Sequence, residues 1–105
     1  MDIKKYVEAE VPELIAARRH FHEYPEGSQQ EFKTMDYIED KLTQMGLSCV
    51  RVPRGGILAT IDSGKPGYTV LMRADIDALP VQEDTVNLSK PKVAVSKNEG
   101  YSHAC

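Results

Sequence analysis

The sequence predicts an α/β chain that runs as two helices, then a β-hairpin, then a central strand. Three observations carry this reading. Apolar residues recur every three or four positions through the first 45 residues, the pattern shifts to alternation near Ser48, and Tyr68-Thr69-Val70-Leu71-Met72 is a nearly continuous apolar run.

The first helix rests on Val7, Val11, Leu14, Ile15 and Phe21, whose spacing places them on one side. Pro12 removes a backbone donor, so the helix is expected to restart or kink there. Tyr24-Pro25-Glu26-Gly27-Ser28 then breaks the pattern. A second helix is expected over about Gln29 to Met45. Ser28 would be its N-cap, Glu31 would complete a capping box, and Phe32, Met35, Ile38, Leu42 and Met45 would form the apolar stripe. Gly46 stands where a left-handed terminating residue is wanted.

The hairpin is expected from Ser48–Val52 and Ile57–Ile61, joined by Pro53-Arg54-Gly55-Gly56. Ser63-Gly64-Lys65-Pro66-Gly67 reads as a turn. The apolar run at 68–72 reads as a strand buried on both faces. From Val81 to Cys105 the chain is polar and irregular, with Val93-Ala94-Val95 as a short strand candidate. A stretch of that length without structure of its own points to a functional loop or an incomplete fold.

Composition narrows the function classes. The chain has 105 residues, a net charge of −3, 41% hydrophobic and 28% charged residues, which suits a single domain or part of one. Acidic and basic residues are interleaved, so no basic face concentrates as nucleic-acid binding requires. The pairs Lys4-Lys5 and Arg18-Arg19 read as solvated helix faces. No apolar run approaches the roughly 20 residues of a membrane span, and the start lacks a secretory signal pattern. Cys49 and Cys105 do not make a disulfide framework, so a reducing, cytoplasmic setting is expected.

Chemistry is expected where the central strand ends, in Arg73-Ala74-Asp75-Ile76-Asp77-Ala78-Leu79-Pro80. Carboxylates at the end of a buried strand need compensation, and strand ends of α/β sheets are where ligands collect. Asp75 and Asp77, two apart on an extended chain, share a face. Either Arg73 neutralises them as a structural ion pair, or a metal or proton sits between them. An Asp-x-Asp pair also occurs in phosphoryl- and glycosyl-transfer enzymes, although the Ala78-Leu79-Pro80 that follows fits that class weakly. His103 and Cys105 offer the imidazole and thiolate that zinc-like ions prefer, but such a pair near a terminus is more often inert. His20 and His22 fall at the end of the first helix, where imidazoles suit the helix dipole and a structural role is favoured.

Taken together, three segments resemble one family. Arg18-Arg19-His20-Phe21-His22-Glu23-Tyr24-Pro25-Glu26, with Glu31-Phe32-Lys33-Thr34 and Ile38, is similar to an opening Arg-Arg-x-x-His-x-x-Pro-Glu signature. Arg73 to Glu83 is similar to its second motif. Gly100-Tyr101-Ser102-His103-Ala104-Cys105 is similar to the start of the third, His-Ala-Cys-Gly-His-Asp. All three belong to metallo-amidohydrolases of the aminoacylase and carboxypeptidase type, in the subgroup of hippurate hydrolase, indole-acetyl-amino-acid hydrolase and N-acetyl-diaminopimelate deacetylase.

The resemblance implies a zinc-peptidase-like α/β/α catalytic domain with two divalent ions, zinc or manganese, and a lid or dimerisation domain. It implies hydrolysis of N-acyl amino acids or short peptides by an enzyme that is a homodimer when complete, with neither nucleic acid nor membrane as partner. Cys105 matches the family's metal-binding cysteine, and Asp77 matches an aspartate that acts at the metals. Asp75 stands where sister groups have a metal-binding histidine, and His103 matches a motif histidine that is not a usual ligand. Gly27-Ser28 departs from the more frequent Leu-Gly. The family's Gly-His-Asp would follow Cys105, so residues 1–105 are expected to be part of the catalytic domain, lacking the lid and inactive alone. The other readings are a non-catalytic remnant or interaction module on the same scaffold, and a transferase built on Asp75 and Asp77.

Overall fold

The computed structural model describes residues 1–84, 86 and 89–104. Four elements follow in chain order: α1 (Ile3–Glu23), α2 (Phe32–Gln44), β1 (Cys49–Arg51) and β2 (Ile57–Ala59). The chain divides into two compact units, one of Met1–Pro25 with Ala78–Cys105 and one of Glu26–Asp77.

In the first unit, α1 starts at Asp2, whose side chain accepts from the backbone N–H of Lys5. Pro12 lies inside the helix, which continues through it without a restart. One missing donor costs a single helical hydrogen bond, and the turns on either side keep theirs. Val7, Leu14 and Ile15 are exposed, and no residue of α1 is buried.

The 96–98 segment secures the end of α1. The N–H of Lys97 donates to the carbonyl of Glu23 at 2.8 Å, and the Asn98 side-chain amide donates to that of Pro25 at 2.9 Å. Carbonyls that a helix end leaves without partners are thereby satisfied. Lys97 Nζ also pairs with Glu23 at 2.9 Å and sits 5.1 Å from the Tyr24 ring centre. Val93-Ala94-Val95 forms no strand, and Val93 and Val95 are exposed. Period-two apolarity over three residues does not make a strand without a neighbour to pair with.

In the second unit α2 packs on the β1–β2 hairpin. The register is antiparallel, Cys49 opposite Ala59, Val50 opposite Leu58 and Arg51 opposite Ile57. Cys49, Ile57 and Ala59 are half-buried while Val50 and Leu58 are exposed, the alternation that a one-sided sheet requires. Met35 is the buried centre, and its sulfur accepts from the N–H of Gly56. Ile38 and Leu42 are half-buried, whereas Phe32 and Met45, the ends of the expected stripe, are exposed. Gly46 has φ +83°, and the hairpin turn uses positive φ at Arg54, Gly55 and Gly56.

Two further expectations are corrected. Ser28 does not cap α2. Glu31 occupies the N-cap position with its side chain turned back to the N–H of Gln29. The cap is Glu26, whose carboxylate accepts from the N–H groups of Lys33 and Thr34. A carboxylate reaching the first turn from outside gains both the orphan donors and the positive end of the helix dipole, which a serine hydroxyl gains less well.

Residues 68–72 are not a buried strand. They lie outside any strand, with Tyr68 103%, Leu71 80% and Met72 91% exposed. Among the described residues no backbone hydrogen bond reaches this segment. A strand exists only through its neighbours, and none is supplied here.

Candidate functional site

Of the residues expected to carry chemistry, Asp75 is 73% exposed in its side chain and pairs with Arg73 at 3.0 Å. This is the structural ion pair that the spacing allowed; exposed as it is, it adds little stability. Asp77 is half-buried. His103 is half-buried in the other unit, and Cys105 lies outside the described residues.

The segment before Cys105 is anchored by a short antiparallel bridge. Leu79 N–H donates to the carbonyl of Ser102 at 3.0 Å, and Ser102 N–H donates back to Leu79 at 3.1 Å. The Ser102 hydroxyl donates to Val81 at 2.8 Å, and Gly100 N–H donates to the Gln82 side chain at 2.8 Å. The bridge therefore ties a point two residues after Asp77 in the chain to a point three residues before Cys105. Gly100 has φ +83°, a left-handed turn within the irregular segment 92–104, the strap.

Glu83, present in the second motif but given no role by its spacing, organises this unit. Its side chain is 4% exposed. It accepts from His22 Nε2 on α1 at 2.5 Å, from Lys92 Nζ at 2.6 Å and from the N–H of Ser96 at 2.8 Å. Burial by itself would raise its pKa; Lys92, the Ser96 amide and His22 outweigh that and hold it at about 2. Nothing in the local sequence distinguishes this glutamate from its solvated neighbours, because its partners come from three separate segments. His22, expected at the helix end for its fit to the helix dipole, is bound there to Glu83.

The donor types suit a divalent ion: carboxylate at Asp77, imidazole at His103, thiol at Cys105. Among the described residues no three His, Cys, Asp or Glu side chains gather so as to hold a metal. Likewise no helix among them is long and apolar enough to cross a membrane.

No family model matches the chain. Individual relatives do. An N-acyl-L-amino acid amidohydrolase of Geobacillus stearothermophilus is 38% identical over 105 residues, which covers 99% of this chain and 27% of the relative. An N-acetyldiaminopimelate deacetylase of Enterococcus faecalis is 41% identical over 103 residues, covering 95% and 25%. Among solved structures, the YXEP protein of Bacillus subtilis, described as a dinuclear metal binding peptidase from the M20 family, superposes with a TM-score of 0.79. It is 40% identical, over 93% of this chain and 27% of that one. The chain spans about a quarter of the length of the curated relatives it matches. In sequence and in fold the chain is similar to the amino-terminal quarter of these amidohydrolases and of the M20 peptidase.

Proposed function

We propose that residues 1–105 form the first part of the catalytic domain of a metal-dependent amidohydrolase that cleaves the amide between an acyl group and an amino acid. In this reading Cys105 is a metal ligand, Asp77 acts at the metals, and Asp75 and His103 support them. The two ions, zinc or manganese, would polarise the scissile carbonyl and lower the pKa of a bound water. The observation that carries the reading is the Leu79–Ser102 bridge, which joins the second and third motifs by backbone hydrogen bonds.

The chain's own contribution is positional. Glu83 and Ser102 hold the strap, which carries His103 and runs on in sequence to Cys105. In this reading the 105-residue chain alone is inactive, and the lack of any three metal-binding side chains gathered among the described residues is consistent with that. The exposure of Tyr68, Leu71 and Met72 weighs against a self-standing interaction module.

Two assays test this. The isolated chain, given manganese or zinc and N-acetyl or benzoyl amino acids, should release no free amino acid; turnover near that of a complete relative overturns the inactivity. Substituting residues 1–105 for the matching segment of the Geobacillus amidohydrolase should preserve hydrolysis. Asp77→Asn in that chimera should lower kcat by at least about a hundredfold. A folded chimera without activity, or an Asp77→Asn variant at full rate, refutes the assignment.

A further inference from the structure

The Arg18-Arg19-x-x-His22 signature has no part in the amide chemistry proposed above, and the structure gives it other surroundings than open solvent. Positions 18, 19 and 22 of a helix lie within one turn, so the three side chains leave α1 on one side. That side borders a cavity of about 240 Å³ whose lining is Arg18, Arg19, His22, Lys92, Val93 and Ala94. Four of these six are basic and none is acidic. All belong to the same compact unit.

We propose that Arg18, Arg19, His22 and Lys92 form a binding pocket for a small oxyanion, a carboxylate or phosphate group.

Like charges brought together repel unless an anion lies among them. Among the described residues Glu83 is the carboxylate that His22 and Lys92 share, and it already accepts from three donors. One oxygen accepts from both His22 and Lys92, and the other from the Ser96 N–H. Arg19 makes no ion pair among the described residues. A guanidinium offers five donors in a planar fork that matches an oxyanion's geometry. His22 adds a second unfilled position. Its Nε2 is bonded to Glu83, while Nδ1 is shielded from solvent with no partner among the described residues. A ring nitrogen so placed carries a desolvation cost; a ligand oxygen relieves it when the ring holds both protons and Nδ1 donates, and a protonated phosphate oxygen does so by donating to it.

The end of a helix ordinarily repels anions through its bare carbonyls. Here the carbonyl of Glu23 is covered by the N–H of Lys97, which weakens that objection. The volume matches about eight waters at roughly 30 Å³ each, enough for phosphate or a short carboxylate and too little for a nucleotide. Among the described residues the lining offers no carboxylate for a cation. The pocket is independent of the amidohydrolase reading.

The test is an NMR titration of the 105-residue chain, carrying Leu71→Asp throughout to keep it monomeric, with inorganic phosphate and, separately, with succinate, at constant ionic strength set by chloride. Saturable shifts are expected at the His22 ring, the Arg19 side chain and the Val93 and Ala94 amides. Arg19→Ala should weaken the response at least about fivefold. Arg19 is exposed and makes no ion pair among the described residues, so the variant should fold as the parent does. Lys4→Ala, a solvated residue elsewhere on α1, should leave the affinity unchanged. Saturation by phosphate alone assigns a tetrahedral dianion, and saturation by succinate alone or by both extends the assignment to carboxylates. Shifts that stay linear for both anions, or an Arg19→Ala variant that binds as the parent does, overturn the proposal.

Discussion

The carboxylate of Glu83 and the imidazole of His22, 61 positions apart in sequence, meet at 2.5 Å in the interior of the first unit. With Lys92 and the Ser96 N–H on the same carboxylate, this contact fastens the irregular strap to the last turns of α1.

Glu83→Gln should therefore cost stability, by roughly 3 kcal/mol, since removing one member of a buried charged network leaves the others desolvated. Urea unfolding measures the loss. Amide exchange at residues 92–98 should accelerate in the variant, while the α2–hairpin unit should exchange as before. Equal stability in parent and variant would mean that the strap is held by other contacts.

The same carboxylate predicts acid sensitivity. Its pKa lies at about 2, below the ordinary 4.5, so the ionised form is favoured by folding. A depressed carboxylate contributes its full stability above its unfolded value and loses it as pH falls. The thermal midpoint of the parent should thus fall between about pH 4.5 and pH 2 more steeply than that of Glu83→Gln. Parallel profiles would contradict the linkage.

The two candidate caps of α2 separate cleanly. Glu26→Ala should lower stability by about 1 kcal/mol, because the N–H groups of Lys33 and Thr34 lose their acceptor. Ser28→Ala should change it by less than about 0.5 kcal/mol, as expected of an exposed position away from such contacts. Chemical denaturation of both variants makes the comparison, and a larger loss at Ser28 would restore the capping box.

The hairpin turn carries a strain prediction. Gly55 has φ +107°, which side chains with a Cβ seldom adopt, so Gly55→Ala should destabilise by about 1–3 kcal/mol. Arg54, at φ +72°, already bears such a cost, and Arg54→Gly should be neutral or mildly stabilising. Thermal unfolding tests both signs.

The unpaired apolar segment predicts self-association. Exposed extended backbone with apolar side chains pairs readily with another chain. The isolated polypeptide should form concentration-dependent assemblies in sedimentation velocity, and Leu71→Asp should shift it toward monomer. A parent that sediments as a monomer at high concentration would rule this out.

Local patterns were legible wherever the physics is local. The helices, the Gly46 stop and the hairpin with its glycine turn depend on side-chain periodicity and backbone freedom within a few residues, and they appear where the sequence puts them. The order of three motifs carried the family, and the relatives bear it out. The site was legible only in kind. Asp77, His103 and Cys105 advertise ligand chemistry by residue type, but whether they meet is a property of distance in space.

What the sequence determined by itself is thus each element's local identity and the kinship of the whole. Tertiary structure alone decided that Glu26 rather than Ser28 caps α2, that Glu83 joins α1 to the strap, and that Arg18-Arg19 borders a cavity. It also decided that residues 68–72, apolar enough for a buried strand, stay exposed. Each of these outcomes depends on partners distant in sequence: hydrogen bonds, burial and strand pairing are relations between segments, and no single segment contains them.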